Sequence, residues 1–479
     1  MSIKRLPVFL RVQLLLAVVV AVVLIVGDRS QPKIGKIDES LSVNQPIIVS
    51  FDRPMKKETV EKGFKLLGGG SEVKGTFSWS SRAAAFIPDE PLAYGTSYAL
   101  SLATIEDMEG HVLRNQYSAT VRTSEPRFAY MTPDFGLSLF NAASKQSIAL
   151  SDKNEKILDY AVSSDGEWLL ASFQDRQDEK TSGIFSMRLG QNGGSDKVTL
   201  YKGTDAIYSK VELCGPDSVA VVSRSDIDDK GLIEESGLVT FPLAEKGFEF
   251  EKQLPFLSSE EVPSANTLVC SSASDQVIYQ SRTGNVVLGS LSEPMGDALG
   301  SYLFAFGFSP KGTTVLLGDT TSATLPTNRV AYAINDKGLR EMISDNATDS
   351  AYPAYDPTEQ ILAIAEDVSD IGSEDNFRTH FKIVLRQRDR GTVTVRPVTE
   401  GSAETSDEHP TWSHDGRFLT FESIPREEGY ERDRPRNNDG SFIDGEIWLT
   451  ELKPGSNFLT REISTQPLKI KGSGVTWLP

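Results

Sequence analysis

Short runs in which apolar and polar residues alternate, punctuated by Gly, Pro, Asn and Asp, extend along most of this chain. The clearest is His409-Pro-Thr-Trp-Ser-His-Asp-Gly-Arg-Phe-Leu-Thr-Phe-Glu-Ser423, followed after a polar insertion by Gly445-Glu-Ile-Trp-Leu-Thr-Glu-Leu452. The period of two predicts three strands. Asp415-Gly416 supplies the tight turn between the first two, because Gly takes positive φ and Asp bonds its own backbone. One such unit cannot bury its apolar faces alone, so its recurrence matters.

It recurs upstream. Ile157–Gly166 leads into Glu167–Phe173 and Gly183–Leu189; Lys210–Asp217 leads into Ser218–Ser223 and Gly237–Leu243. Thr267–Cys270 leads into Gln276–Tyr279 and Asn285–Gly289; Phe304–Gly312 leads into Thr313–Leu317 and Arg329–Ala333. Tyr352–Pro357 leads into Gln360–Ala365 and Phe381–Leu385. With the unit at His409 these make six. Sheets of this kind bury their faces by stacking radially, which leaves only short edges. No amphipathic helices lie between the strands, which excludes parallel α/β layering. An open solenoid would need capping repeats.

The two ends supply a seventh. Gly474-Val-Thr-Trp-Leu-Pro479 is similar to Pro410-Thr-Trp-Ser413 and reads as a first strand. Arg127–Met131, Leu137–Phe140 and Ser147–Leu150 form a set that lacks one. The terminal strand is therefore expected to complete that set and close a seven-bladed β-propeller, with six blades as the alternative.

Residues 31–124 carry a different strand pattern: Ile47–Phe51, Phe64–Leu66, Gly75–Trp79, Ala84–Pro88, Leu92–Leu100 and Tyr117–Thr123, with a turn at Glu106–Gly110. About seven strands in this span suit a β-sandwich. Phe51-Asp-Arg-Pro-Met55, Trp79, Phe86-Ile-Pro88, Leu92, Tyr94-Gly-Thr96, Tyr98, Asp107 and Gly110 make the segment resemble the bacterial Ig-like domain of secreted and surface-layer proteins. That resemblance implies a spacer or adhesion module, with Phe51, Trp79 and Phe86 as core. The copies around Asp165-Gly166 and Asp415-Gly416, with Glu446–Leu452, resemble the propeller repeat of the periplasmic TolB family. Pro357-Thr358 and Pro216-Asp217 depart from its Asp-Gly turn. The resemblance implies protein–protein contact. The same repeat occurs in prolyl oligopeptidase-like peptidases, which need an attached hydrolase domain, and none is expected here.

The first residues differ in kind. Lys4, Arg5 and Arg11 precede an unbroken apolar run from Leu14 to Gly27. A bilayer-spanning helix needs roughly 20 apolar residues, and Arg11 can snorkel to the headgroups. The expectation for residues 1–30 is a cytoplasmic tip and transmembrane signal-anchor, with the bulk of the chain extracytoplasmic. A cleaved signal peptide is the competing reading, but Gly27-Asp28-Arg29 is a poor cleavage site. The overall expectation is an all-β chain: one N-terminal transmembrane helix, an Ig-like sandwich at 31–124 and a propeller at 125–479.

Charge narrows the partners. The net charge is -18, which repels nucleic acid. The sequence has no G-x-S-x-G, H-E-x-x-H or P-loop motif. His111, His380, His409 and His414 are scattered and read as structural or exposed, so no catalytic, cofactor or metal residue is assigned. Calcium is the one cofactor considered, at Asp226-Ile-Asp-Asp-Lys-Gly231 and Asn437–Glu446; neither matches a calcium loop well. Cys214 and Cys270 end the first strands of adjacent units and could pair in an oxidising compartment.

Insertions between second and third strands, at Asp175–Ser182, Arg224–Ser236, Asp319–Asn328, Glu366–Thr379 and Glu422–Asp444, would all emerge on one face. Several are acidic, including Asp226, Asp228, Asp229, Glu234, Glu235, Glu366, Asp367, Asp370, Glu374 and Asp375. The expected role is a membrane-anchored scaffold that meets a protein or cell-envelope component through this acidic rim. The alternative is an envelope glycan-active enzyme with paired carboxylates on the propeller face.

Overall fold

The computed structural model describes residues 31–113, 115–190, 193–228, 233–257, 268–281, 284–320, 329–335, 337–344, 349–368, 380–389, 392–402, 404–426, 435–436, 442–453, 458 and 460–479. The expected membrane segment, with Lys4, Arg5, Arg11 and Leu14–Gly27, lies outside them. Among the described residues no helix is long and apolar enough to cross a membrane. The chain divides into two compact units, one up to Leu41 plus Gln45–Thr123, the other Ser42–Asn44 plus Ser124–Pro479.

The first unit packs two sheets. One has the order Ser40–Leu41, Tyr117–Thr123, Ser97–Leu102, Phe64–Gly68, Ser71–Glu72; the other Ile47–Ser50, Ala83–Pro88, Gly75–Trp79. Phe51, Phe64, Leu66, Phe86, Leu100 and Val121 fill the space between them. Phe51 and Phe86 are buried as expected, whereas Trp79 is only half-buried and its indole donates to Glu61 at 2.9 Å. A short helix, Lys57–Gly63, was not foreseen; it follows Pro54 and buries only Val60. The turn at Glu106–Gly110 is built on Asp107. Its carboxylate accepts the amides of Glu109 (2.9 Å) and His111 (2.8 Å), faces the His111 ring at 3.0 Å and receives Arg53 at 3.2 Å.

The second unit holds seven four-stranded antiparallel sheets among the described residues. Six are consecutive in sequence, with innermost strands Glu155–Val162, Ala206–Cys214, Val269–Cys270, Phe304–Phe308, Ser350–Tyr355 and Thr405–Trp412. The remaining one combines Arg127–Met131, Leu137–Asn141 and Gln146–Ala149 with the terminal strand Ser473–Leu478, which pairs with Arg127–Met131. This last is counted as sheet 1 and the others as sheets 2 to 7. Each sheet contacts the next, and sheet 7 contacts sheet 1 through Thr405–Trp412 against Ser473–Leu478. The fourth strands are largely exposed; that of sheet 1, Gln146–Ala149, matches the expected Ser147–Leu150, whereas others such as Gly193–Gly203 and Thr392–Pro397 were not expected.

The turn chemistry that marks the repeat is real. In sheet 7 the Ser413 hydroxyl donates to Asp415 (2.7 Å) and accepts the Phe418 amide (2.9 Å), and Gly416 has φ 66°. Sheet 2 repeats this with Ser163, Asp165, Trp168 and Gly166, at φ 71°. Sheet 6, which lacks the Asp-Gly pair, uses one residue for both jobs. The Asp356 carboxylate accepts the Thr358 hydroxyl (2.6 Å) and the Ile361 amide (2.7 Å), while Glu359 takes the positive φ of 61°.

The same register links neighbours. The Trp412 indole donates to the Ala354 carbonyl of sheet 6 at 3.0 Å, and the Trp477 indole donates to the Thr411 carbonyl of sheet 7 at 3.2 Å. Trp477 therefore occupies in sheet 1 the place that Trp412 occupies in sheet 7. Cys214 and Cys270, with Cα atoms 5.0 Å apart, form a disulfide between sheets 3 and 4.

Candidate functional site

Strand alternation is interrupted at one depth in six of the innermost strands. Pairing with the second strand shifts between Ile157 and Asp159, Tyr208 and Val211, Ala305 and Gly307, Ala351 and Ala354, Glu408 and Thr411, and Ser473 and Thr476. A bulge of this kind bends the strand and re-aims side chains. Three sheets do it alike: Tyr352, His409 and Gly474 have φ of 53°, 52° and 63°, each three residues before Tyr355, Trp412 or Trp477. For Tyr and His this left-handed backbone is costly, and the tight neighbouring packing sustains it.

The bulges build a girdle with two characters. Across sheets 7, 1, 2, 3 and 4 it is polar. Glu422 accepts the Gly474 amide at 2.8 Å, and the Tyr160 hydroxyl donates to the Gly474 carbonyl. Asp159 accepts the Val211 amide at 2.9 Å and lies 3.1 Å from the Lys210 ammonium, which lies 3.1 Å from Glu212. Glu212 in turn accepts the Cys270 amide. Burial works against the Lys210 charge, but Asp159 and Glu212 outweigh it and hold its pKa well above the ordinary value. Burial pushes the Glu212 carboxyl up, and Lys210 opposes it. Almost a third of the Lys210 side chain is nonetheless open, so the triad faces a wetted interior rather than a dry core.

Across sheets 5, 6 and 7 the girdle is aromatic. Phe306 and Tyr352 meet edge to face at 5.9 Å, and Tyr352 lies 4.1 Å from His409. These three rings line a cavity of about 670 Å³, together with Phe308, Tyr355 and Trp412. That volume is in the range of ligand sites. The cavity opens among the first-to-second strand turns, lined by Ser164, Pro310, Pro357 and Ser413. Among the described residues that line it there is no Asp, Glu, Lys or Arg. His414 at its edge bonds the Trp477 carbonyl at 3.0 Å, and burial lowers its pKa, which favours the neutral ring.

The expected acidic rim stands at the other end of the same strands, where second and third strands join. The strands run further into it than the sequence suggested: Val219–Ile227 and Ile233–Phe241 are one long hairpin, so most of Arg224–Ser236 is strand. Several of its described carboxylates have cations beside them. Asp175 meets Lys202 (2.7 Å), Asp226 meets Arg224 (2.8 Å), Asp349 meets Arg329 (3.0 Å), Glu366 meets Arg386, and Glu408 meets Arg426. Asp226 is a strand residue bonded to Arg224. Asp229–Gly231, Asn437–Ser441, Asp370, Glu374 and Asp375 lie outside the described residues. Among the described residues, Asp107, Glu109 and His111 approach metal-ligating geometry, but the Arg53 guanidinium already occupies Asp107.

Neither the cavity nor the girdle was foreseen. The signal was present in the shared spacing of Tyr352-Pro-Ala-Tyr355 and His409-Pro-Thr-Trp412. It marks a bulge only once the register is known.

Residues 28–129 match the family model of the bacterial Ig-like domain. No curated protein matches the chain. Among solved structures it is similar to a putative TolB from Agrobacterium tumefaciens, at 16% identity and a TM-score of 0.36, over 73% of this chain and 92% of that one. It is also similar to a putative 6-phosphogluconolactonase from Bacteroides uniformis (14%, TM-score 0.44, 74% and 99%). The β-propeller domain of the Trilobed protease from Pyrococcus furiosus is similar at 9%, with a TM-score of 0.43, over 81% and 98%. At this distance neither activity nor partner carries over from those proteins.

Proposed function

We propose that this chain is a membrane-anchored, extracytoplasmic binding or scaffold protein. In this reading residues 1–30 are the anchor, 31–124 the Ig-like spacer and 125–479 a seven-bladed propeller closed by the terminal strand. The observation that carries it is the circuit of sheet contacts around an aromatic cavity: a rigid concave surface held by neighbour-to-neighbour bonds, as recognition surfaces require. The partner is a protein or cell-envelope component. The run Leu14–Gly27 behind Lys4, Arg5 and Arg11 supports the anchor, and the Cys214–Cys270 disulfide suits an oxidising compartment.

Two measurements on intact cells test it. Carbonate washing should leave the full-length chain in the membrane fraction, and external protease should digest the bulk of it once any outer barrier is opened. Crosslinking in those membranes should yield one reproducible adduct that disappears when Ser309→Trp fills the cavity. A chain released by carbonate, or no reproducible adduct, would count against the proposal.

A further inference from the structure

The cavity has three properties that together select a ligand. Its walls are largely aromatic: Phe306, Tyr352 and His409 contact one another in series, and Phe308, Tyr355 and Trp412 line it with them. Its serine hydroxyls are engaged within their own turns. The Ser163 and Ser413 hydroxyls donate to Asp165 and Asp415 and accept the Trp168 and Phe418 amides, and Ser164 donates to the Pro216 carbonyl. Its electrostatic setting is negative. No Lys or Arg stands among the described residues that line it, the chain carries -18, and the adjoining girdle sets Asp159, Glu212 and Glu422 against Lys210, with the His409 ring 3.2 Å from Glu422.

An anion finds no Lys or Arg among the described lining residues. A neutral ligand gains from the ring faces but not from the field. An organic cation gains from both, because the aromatic quadrupole presents negative charge at the ring face. We infer that the cavity binds an alkylammonium group, resting on the reading of this unit as a binding module. The group could belong to a small free amine or to a lysine side chain of a partner.

The test is a calorimetric titration of the full chain in detergent with choline and with 3,3-dimethylbutanol, its uncharged isostere of the same shape. Choline should bind more tightly by about tenfold or more, with an advantage that shrinks as salt rises. Phe306→Leu keeps apolar bulk but removes a ring face, and should weaken choline binding by about 3- to 30-fold. Its thermal unfolding, run alongside, excludes simple misfolding. A short uncharged peptide with one central lysine separates the sources: binding of that peptide above choline assigns the site to a partner side chain, and choline above the peptide assigns it to a free amine. Equal binding of choline and dimethylbutanol, no binding of choline or of the peptide, or a folded Phe306→Leu chain with unchanged affinity would overturn the inference. Membrane crosslinks that persist in any of these cases leave the scaffold reading standing.

Discussion

The Glu422 carboxylate accepts the Gly474 amide at 2.8 Å, and so binds sheet 7 to the strand that completes sheet 1. Glu422 is almost fully buried, and its other oxygen faces the His409 ring at 3.2 Å. The terminal strand is held non-covalently, so this bond bears on whether the circuit of sheets stays closed.

Glu422→Ala should therefore leave a buried amide without its acceptor and destabilise the second unit by about 2 kcal/mol. Glu422→Gln keeps an acceptor oxygen and should recover part of that loss. Chemical denaturation followed by tryptophan fluorescence reads both, because Trp477 sits at the seam of sheets 7 and 1 and Trp412 at the neighbouring seam of sheets 6 and 7. Equal stability of Glu422→Ala and the parent chain would show that the seam does not depend on this carboxylate.

Trp477 offers a second probe of the closure. Its indole nitrogen donates to the Thr411 carbonyl and meets the Thr420 hydroxyl, both at 3.2 Å. Trp477→Phe preserves most of the ring packing against Phe128 and Phe418 and should cost about 1 kcal/mol for the lost hydrogen bond. Trp477→Ala should cost about 3–5 kcal/mol, since the cavity it leaves adds to the loss. Hydrogen exchange should show the extra opening at Arg127–Met131, the strand that pairs with it.

The Cys214–Cys270 bond closes a long loop between sheets 3 and 4. Replacing both residues with Ala should lower stability by about 2–4 kcal/mol. Dithiothreitol should lower the parent chain towards the variant and leave the variant unchanged. Mass spectrometry of non-reduced peptides should find the two cysteines linked, and two free thiols in protein isolated from its own compartment would contradict this.

In the first unit Asp107 sets a pH dependence. Burial works against its charge, but the His111 and Glu109 amides, the His111 ring and Arg53 together bring its pKa below the ordinary carboxylate value. The unfolded chain then binds the proton more readily than the folded one. The stabilisation is present above about pH 4 and is lost as pH falls through the folded value. Asp107→Asn should lower the thermal transition of this unit at neutral pH and flatten its dependence below about pH 4. A parent chain whose transition does not fall on acidification would contradict the assignment.

Much of the architecture is legible in the sequence because burial writes it there. The Asp-Gly turns at 165–166 and 415–416 and the kinship of Trp412 with Trp477 each report a side chain whose environment recurs. Of the expected Thr267–Cys270 strand, Val269–Cys270 pairs with Val277–Ile278, and Thr267 lies outside the described residues. The exposed strand Gly193–Gly203 left no period to read, and neither did the helix Lys57–Gly63, which buries a single residue. The cavity was hidden for a different reason. Its rings come from three sheets, and what brings Phe306, Tyr352 and His409 together is a bulge in each, a property of pairing rather than of composition.

Site-specific photocrosslinking in intact membranes tests the binding role most directly. A benzophenone amino acid at Phe308 would stand in the cavity wall, and one at Val395 would stand on an exposed outer strand of sheet 6. The expected result is a discrete adduct from position 308, suppressed by excess purified soluble unit, with none from position 395. Folded, membrane-inserted protein that gives no adduct at 308, or the same adducts at both positions, would contradict a binding role for the cavity.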